Sequence, residues 1–233
     1  MIFHFITKRK VPVFLGSSFS FIASIQYIGN KFGLPYAEGG IIVAGFMYLI
    51  YALIVKYVGS EKVKEYFPPV VTGTMIIIIG LTLAPGVING NIVDAEIGTL
   101  GLRWLIATIV VATVIIVSIF MKGFFKLVPI LFGIGVGYLA SSVFGILDTT
   151  AISNASWFQI PQFTLPKFNL ESILLIAPLS LVTFMEHIGD ITTNGSVVGK
   201  NFFKEPGLHR TLIGDGIATI FAGFIGSPAN TTY

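Results

Sequence analysis

Leu170–Val198 reads LESILLIAPLSLVTFMEHIGDITTNGSVV. It begins as an apolar run long enough to enter a bilayer, and deep inside that run stand two carboxylates, Glu186 and Asp190, four residues apart. At helical spacing they share one face, about a turn from each other. An ionised carboxylate at membrane depth costs at least ~2.5–3.5 kcal/mol on insertion scales, so such residues face a polar cavity or a partner rather than lipid. One reading is a functional pair; the plainer one is a pair fixed by hydrogen bonds in a helix interface.

Composition sets the class. Of 233 residues, 54% are hydrophobic and 11% charged, and the mean hydropathy is +0.88. Soluble domains carry roughly 25% charged residues, so most of this chain must meet lipid or other apolar helices. The expectation is an all-α integral membrane protein. There are no cysteines, which removes disulfides and thiolate metal sites from consideration. The opening MIFHFITKRK places apolar residues before basic ones, the reverse of a signal peptide. It reads as the tail of a preceding helix.

A span needs ~20 mostly apolar residues, and about seven stretches qualify: Val11–Gly29, Ala37–Tyr57, Pro68–Ala84, Leu100–Met121, Leu127–Leu147, Leu170–Asn194 and Leu208–Gly226. Pro12, Gly16, Ser17 and Ser18 disrupt the start of the first. That predicts a short extended piece around Val13–Gly16, then a half-helix from Ser17. After Gly226 the tail SPANTTY is again non-helical. With seven alternating crossings, one side receives Lys8, Arg9, Lys10, Lys56, Lys62, Lys64, Lys122, Lys126, Lys200, Lys204 and Arg210. The other receives Lys31, Arg103 and Lys167. The asymmetry follows the positive-inside rule and makes the N-terminal end and the 198–209 loop cytoplasmic.

Small residues predict close helix packing: Gly214, Ala218, Ala222 and Gly226 on the last span, Gly133 and Gly137 on the fifth. The run GIGVG at 133–137 lacks the lysine and strand context of a phosphate loop. The segment 148–168, with Trp157, Phe158, Pro161, Phe163 and Pro166, suits an interfacial outer loop.

Three acids are assigned to the spans: Glu186, Asp190 and Asp215. Neighbouring carboxylates in low dielectric oppose each other's ionisation, as a proton-coupled carrier requires. For Asp215 a structural hydrogen bond between helices is the alternative. Broken backbone at mid-membrane is found where it lines a substrate cavity. N–H groups from Ser17 to Phe19 suit carbonyl oxygens of a ligand, and Phe19 can stack on a flat ring. His4, His187 and His209 show no metal spacing, and His187, ~100° around the helix from Glu186, reads as a packed histidine. No nucleophile elbow or basic nucleic-acid groove is present. Neither an enzyme nor a cofactor is expected.

VPVFLGSSFSFI, DTTAISNASWFQIP, the EHIGD box at 186–190, PGLHR at 206–210 and GSPANTTY at 226–233 resemble the nucleobase–ascorbate transporter family, and within it the bacterial uracil permeases. That resemblance implies a fold of fourteen spans in two inverted repeats of seven, with a core and a gate domain. Mapped here, residues 11–57 and 170–233 belong to the core, 66–147 to the gate and 148–169 to an outer loop. The chain then starts near the end of the second span and stops on entering the tenth, an internal fragment. Glu186 matches the base-binding glutamate, and Phe19 and Tyr233 match aromatic positions on the two crossing strands, with Ser18 beside them. Asp190 and Asp215 stand where some members have histidine and asparagine; as acids near Glu186 they are expected to tune its protonation and couple it to the proton gradient. A second glutamate is expected two residues past Tyr233. The implied partners are uracil or a related nucleobase, protons and the lipid of a cell inner or plasma membrane, with a homodimer of the full-length protein. A purine or xanthine permease, an anion carrier of similar architecture and a helical scaffold are the rival readings. Two acids beside the ligand speak against the anion carrier.

Overall fold

The computed structural model describes residues 1–122, 125, 128–156 and 163–233. The predicted fifth-span start at Leu127, the side assignment of Lys126, and Trp157, Phe158 and Pro161 of the outer segment lie outside the described residues. In chain order the elements are α1 (Ile2–Ile6), β1 (Leu15–Ser17), α2 (Ile22–Phe32), α3 (Leu34–Val58), α4 (Ser60–Tyr66), α5 (Pro69–Ile88), α6 (Leu100–Phe120), α7 (Pro129–Val143), α8 (Thr150–Ser153), α9 (Leu170–Ile176), α10 (Leu179–Val198), α11 (Leu208–Phe224) and β2 (Asn230–Thr232).

Helix ends follow local chemistry. Pro35 sits in the first turn of α3, where its missing N–H costs nothing. Asn169 caps α9 by accepting the Ser172 N–H at 2.7 Å. Pro178 divides α9 from α10, yet Leu170–Val198 remains one 29-residue apolar column. Among the described residues, four helical stretches are long and apolar enough to cross a membrane: Leu34–Val58, Pro69–Val93, Leu100–Phe120 and Leu170–Val198. The third predicted span was expected to end before Pro85; instead the helix runs on through it and opens into a π-turn over Asn89–Val93. Pro85 has no N–H to give the Leu81 carbonyl, the ladder bond that the helix forgoes in running through it. The first predicted span divides its length between strand and helix, which leaves α2 with 11 residues; the last is helical to Phe224 as the 17-residue α11, and β2 lies beyond its predicted end. The 15-residue α7 is also short.

Two compact units result, one of Met1–Leu81 with Pro161–Tyr233, the other of Thr82–Ile160; the division falls inside α5. In the second, α7 packs on α6 through its predicted small face. A Cβ on Gly133 would lie 2.6 Å from Val114, and one on Gly137 2.9 Å from Val110. In the first, α3 and α11 form the central pair. A Cβ on Gly45 would stand 2.7 Å from Ile220 Cγ1, and one on Gly223 2.6 Å from Ile42 Cγ1. The predicted stripe of α11 is thus only part of the answer. Gly214 faces Phe3 of α1, and Gly226 lies past the helix end, while Gly216 and Gly223 let α3 approach.

Buried Tyr48, Phe184, Ile188, Ile191, Phe202, Leu208 and Leu212 fill one apolar cluster of this unit; Phe21, Ile28, Ala37, Ile41, Ala44 and Ile176 fill another. Two ion pairs mark its ends. Lys10 pairs with Glu205, and Lys31 with Glu171 at 2.5 Å. Lys10 holds the exposed Glu205 carboxyl below its ordinary range. Each pair joins segments that the charge count assigned to one side of the membrane.

Glu38 is a further acid within the spans. It lies one turn into α3, is buried, and accepts the Thr164 hydroxyl at 2.6 Å. The signal was available, because Glu38 falls within the predicted second span.

Candidate functional site

Two strands far apart in sequence meet in the first unit. β1 and β2 pair antiparallel, with Leu15 opposite Thr232, Gly16 opposite Thr231 and Ser17 opposite Asn230. Backbone bonds extend the ladder at both ends: Phe14 and Tyr233 exchange two, and the Ser18 N–H donates to the Ala229 carbonyl at 2.8 Å. The strand therefore begins two residues later and ends one residue later than predicted. A 3₁₀ turn over Phe19–Phe21 follows it, and α2 begins only at Ile22. The ladder is the physical reason: pairing with β2 absorbs the backbone of residues that would otherwise have started the half-helix. The Ser18 N–H is consequently spent on Ala229, and the Ser18 side chain is buried at 2% exposure.

The aromatics of this crossing lie on the open side. Phe19 is 55% exposed and Tyr233 38%. Tyr233 stacks on Phe14, with ring centroids 5.5 Å apart and planes 21° from parallel. Its hydroxyl donates to the Ser17 carbonyl at 3.0 Å. A Cβ on Gly16 would come within 2.9 Å of the Tyr233 ring, so glycine is what lets the ring lie flat on β1.

α10 brings its acids to the same place. Glu186 and Asp190 are each partly buried, and both lie within electrostatic reach of Tyr233. The Ser20 hydroxyl donates to Glu186 Oε2 at 3.4 Å. Ser20 was not among the predicted site residues; its signal was its place one residue after Phe19 in the broken span. Asp215 does not join the open site. It is fully buried and lies against His187, with Oδ2 3.3 Å from Nδ1. Among the described residues no group of three histidines, cysteines or acids is placed to hold a metal ion.

Partly buried carboxylates near an exposed aromatic ring can accept N–H bonds from a flat heterocycle that stacks on the ring. Against that geometry, the whole chain, residues 1–233, matches the sequence profile described as the permease family. The chain belongs to that family. Its apolar helices accordingly make it a multi-pass membrane protein of the permease family. It is 42% identical over 233 residues to a probable uracil permease of Haemophilus influenzae, covering all of this chain and 56% of the relative. To the uracil permease of Escherichia coli it is 38% identical over 236 residues, covering 54% of that protein. The uracil permease of Bacillus subtilis is 39% identical over 238 residues, with 55% of it covered. The chain thus spans a little over half the length of these curated relatives.

Proposed function

We propose that this permease carries uracil, by proton symport, across the cytoplasmic membrane. The carrying observation is the placement of Glu186: a partly buried carboxylate in the middle of α10, with Ser20 on one oxygen and the β1–β2 crossing beside it. Uracil offers two ring N–H donors and two carbonyl acceptors in one plane. Glu186 accepts from an N–H, and Phe19 and Tyr233 cover the faces. Ser18 contributes through the ladder, which fixes where Phe19 emerges. Asp190, one turn from Glu186, competes with it for a proton, and that competition ties substrate binding to the gradient. The names of the relatives support uracil as the base.

Competition by unlabelled bases against labelled uracil uptake by the complete gene product tests the reading. Uracil is expected to compete and xanthine to fail at equal concentration; the reverse order would overturn the pyrimidine assignment.

The Tyr233 cover has its own test. Gly16→Ala inserts a methyl under the ring where 2.9 Å is available. Overpacking of this kind costs ~1–3 kcal/mol, and the ring is the freer of the two partners. The KM for uracil is therefore expected to rise by about tenfold at unchanged membrane abundance. An unaltered KM would show that the ring pose does not matter.

A further inference from the structure

Behind Glu186 the core closes over a second ionisable pair. His187 and Asp215 are both fully buried, with Nδ1 3.3 Å from Oδ2. Apart from that contact, neither Asp215 oxygen meets a hydrogen-bonding partner among the described residues. On the other edge of the ring, Nε2 lies 2.8 Å from Thr211 Oγ1, and the Thr211 hydroxyl donates to the Leu208 carbonyl at 2.9 Å. A hydroxyl has one proton to give. With it given to Leu208, the Thr211 oxygen accepts and Nε2 is the donor.

The tautomer decides what stands between His187 and Asp215. A bare Nδ1 facing an ionised carboxylate would set lone pair against lone pair in a dry interior, with nothing to offset the buried charge. One proton therefore lies on the Nδ1–Oδ2 line. Whether written as imidazolium with carboxylate or as imidazole with carboxylic acid, the pair is neutral.

The same Nδ1 edge also meets Thr232 Oγ1 of β2 at 3.1 Å, and the Thr232 hydroxyl neighbours the Asp190 carboxylate. A second bond, from the Asn230 N–H to Thr219 Oγ1 at 3.3 Å, ties β2 to α11. The ionisable groups facing the pair are Tyr48 from α3 and Glu186 and Asp190 from α10. His187 thus joins α10, α11 and β2, the strand just before Tyr233.

We infer that His187 and Asp215 form a neutral, one-proton latch that holds β2 in place behind the ligand site, and that Asp215 carries no transported proton. This replaces the sequence-based expectation that Asp215 acts in proton coupling. Both residues are positioning residues: they reach a ligand only through Thr232, Asp190 and Tyr233. The second clause rests on the symport reading above; the first does not.

Two measurements on the complete gene product separate the possibilities. The first, hydrogen–deuterium exchange of the amides at 229–232, needs no ligand. Asp215→Ala and Thr232→Val are each expected to speed it at least about tenfold, the loss of one hydrogen bond in a closed core. Asp215→Asn keeps side-chain length and offers an N–H to Nδ1, so exchange is expected within about threefold of the parent. Thr232→Val leaves the buried pair intact, which guards against a general folding failure in Asp215→Ala. Unchanged exchange in both Asp215→Ala and Thr232→Val would overturn the latch.

The second measurement is accumulation of labelled uracil in proteoliposomes against an imposed proton gradient. Asp215→Asn is expected to accumulate uracil above equilibrium, with KM raised by no more than about fivefold. Loss of accumulation with uracil counterflow intact would make Asp215 the proton carrier and overturn the second clause. A parent protein that moves no nucleobase fails the transport reading instead, and the exchange arm then decides the latch alone.

Discussion

Uracil uptake by Glu186→Gln is expected to fall between about 10- and 150-fold at equal membrane abundance, the worth of one hydrogen bond to a charged group at ~1.5–3 kcal/mol. The substitution is nearly isosteric, so the fold offers no reason for a larger disturbance. What changes is chemistry: a carboxylate presents acceptors only, whereas an amide can turn an NH2 toward the ring N–H of the base. Ser20 sharpens the effect. Its hydroxyl donates to Glu186 Oε2 and would favour the amide oxygen there, leaving the NH2 to face the ligand. The loss should appear in KM and in direct binding. Uptake with an unaltered KM and intact proton dependence would remove Glu186 from the site, and the proposed function with it.

The second large effect concerns the frame rather than the site. Gly45→Leu is expected to destabilise the protein by at least the ~1–3 kcal/mol usual for overpacking. A first side-chain carbon there would already lie 2.7 Å from Ile220 Cγ1, 2.8 Å from the Ile220 nitrogen and 2.9 Å from the Gly216 carbonyl oxygen. Two of these are backbone atoms of α11, which cannot rotate away as a side chain can. Relief requires α3 and α11 to separate, and α11 carries Asp215 and Thr219, which anchor β2 through His187 and Asn230. A lower melting temperature in detergent and loss of a monodisperse species are the readouts. Gly80→Leu is the control, since nothing lies within 4 Å of a Cβ at that position; it should stay within ~0.5 kcal/mol of the parent. A Gly45→Leu protein as stable as the control would mean the two helices are not held at this spacing.

The pairing also explains why some features were readable in advance and others were not. A membrane protein, a carboxylate at depth in α10, and interruptions in the first and last spans all follow from windows of fewer than thirty residues. Hydrophobic runs, prolines and side-to-side charge asymmetry are local quantities with strong energetic consequences in lipid, where an unpaired backbone group has no water to turn to. Gly133 and Gly137 belonged to the same class, because small residues at i and i+4 face one neighbour whichever helix it is. Glu38 is equally local, an acid inside the predicted second span.

Ser20 on Glu186, by contrast, joins residues 166 positions apart, and the Tyr233 hydroxyl reaches back 216 positions to Ser17. Nothing near either residue specifies its partner. The register of β1 against β2 moved the start of α2 and spent the Ser18 N–H, and that register is a property of two strands together. Asp215 shows the same limit in charge rather than geometry. Its sequence marks an acid in a span, but whether it faces a cavity or a histidine depends on how α10 turns against α11. Residue type and hydropathy thus dictated that a polar, broken-backbone locus lies within this membrane domain, because burying bare charge or bare amide in hydrocarbon is so costly. Which groups satisfy that locus was settled only by packing, since a hydrogen bond is made by proximity and the chain is free to draw its partner from anywhere along its length.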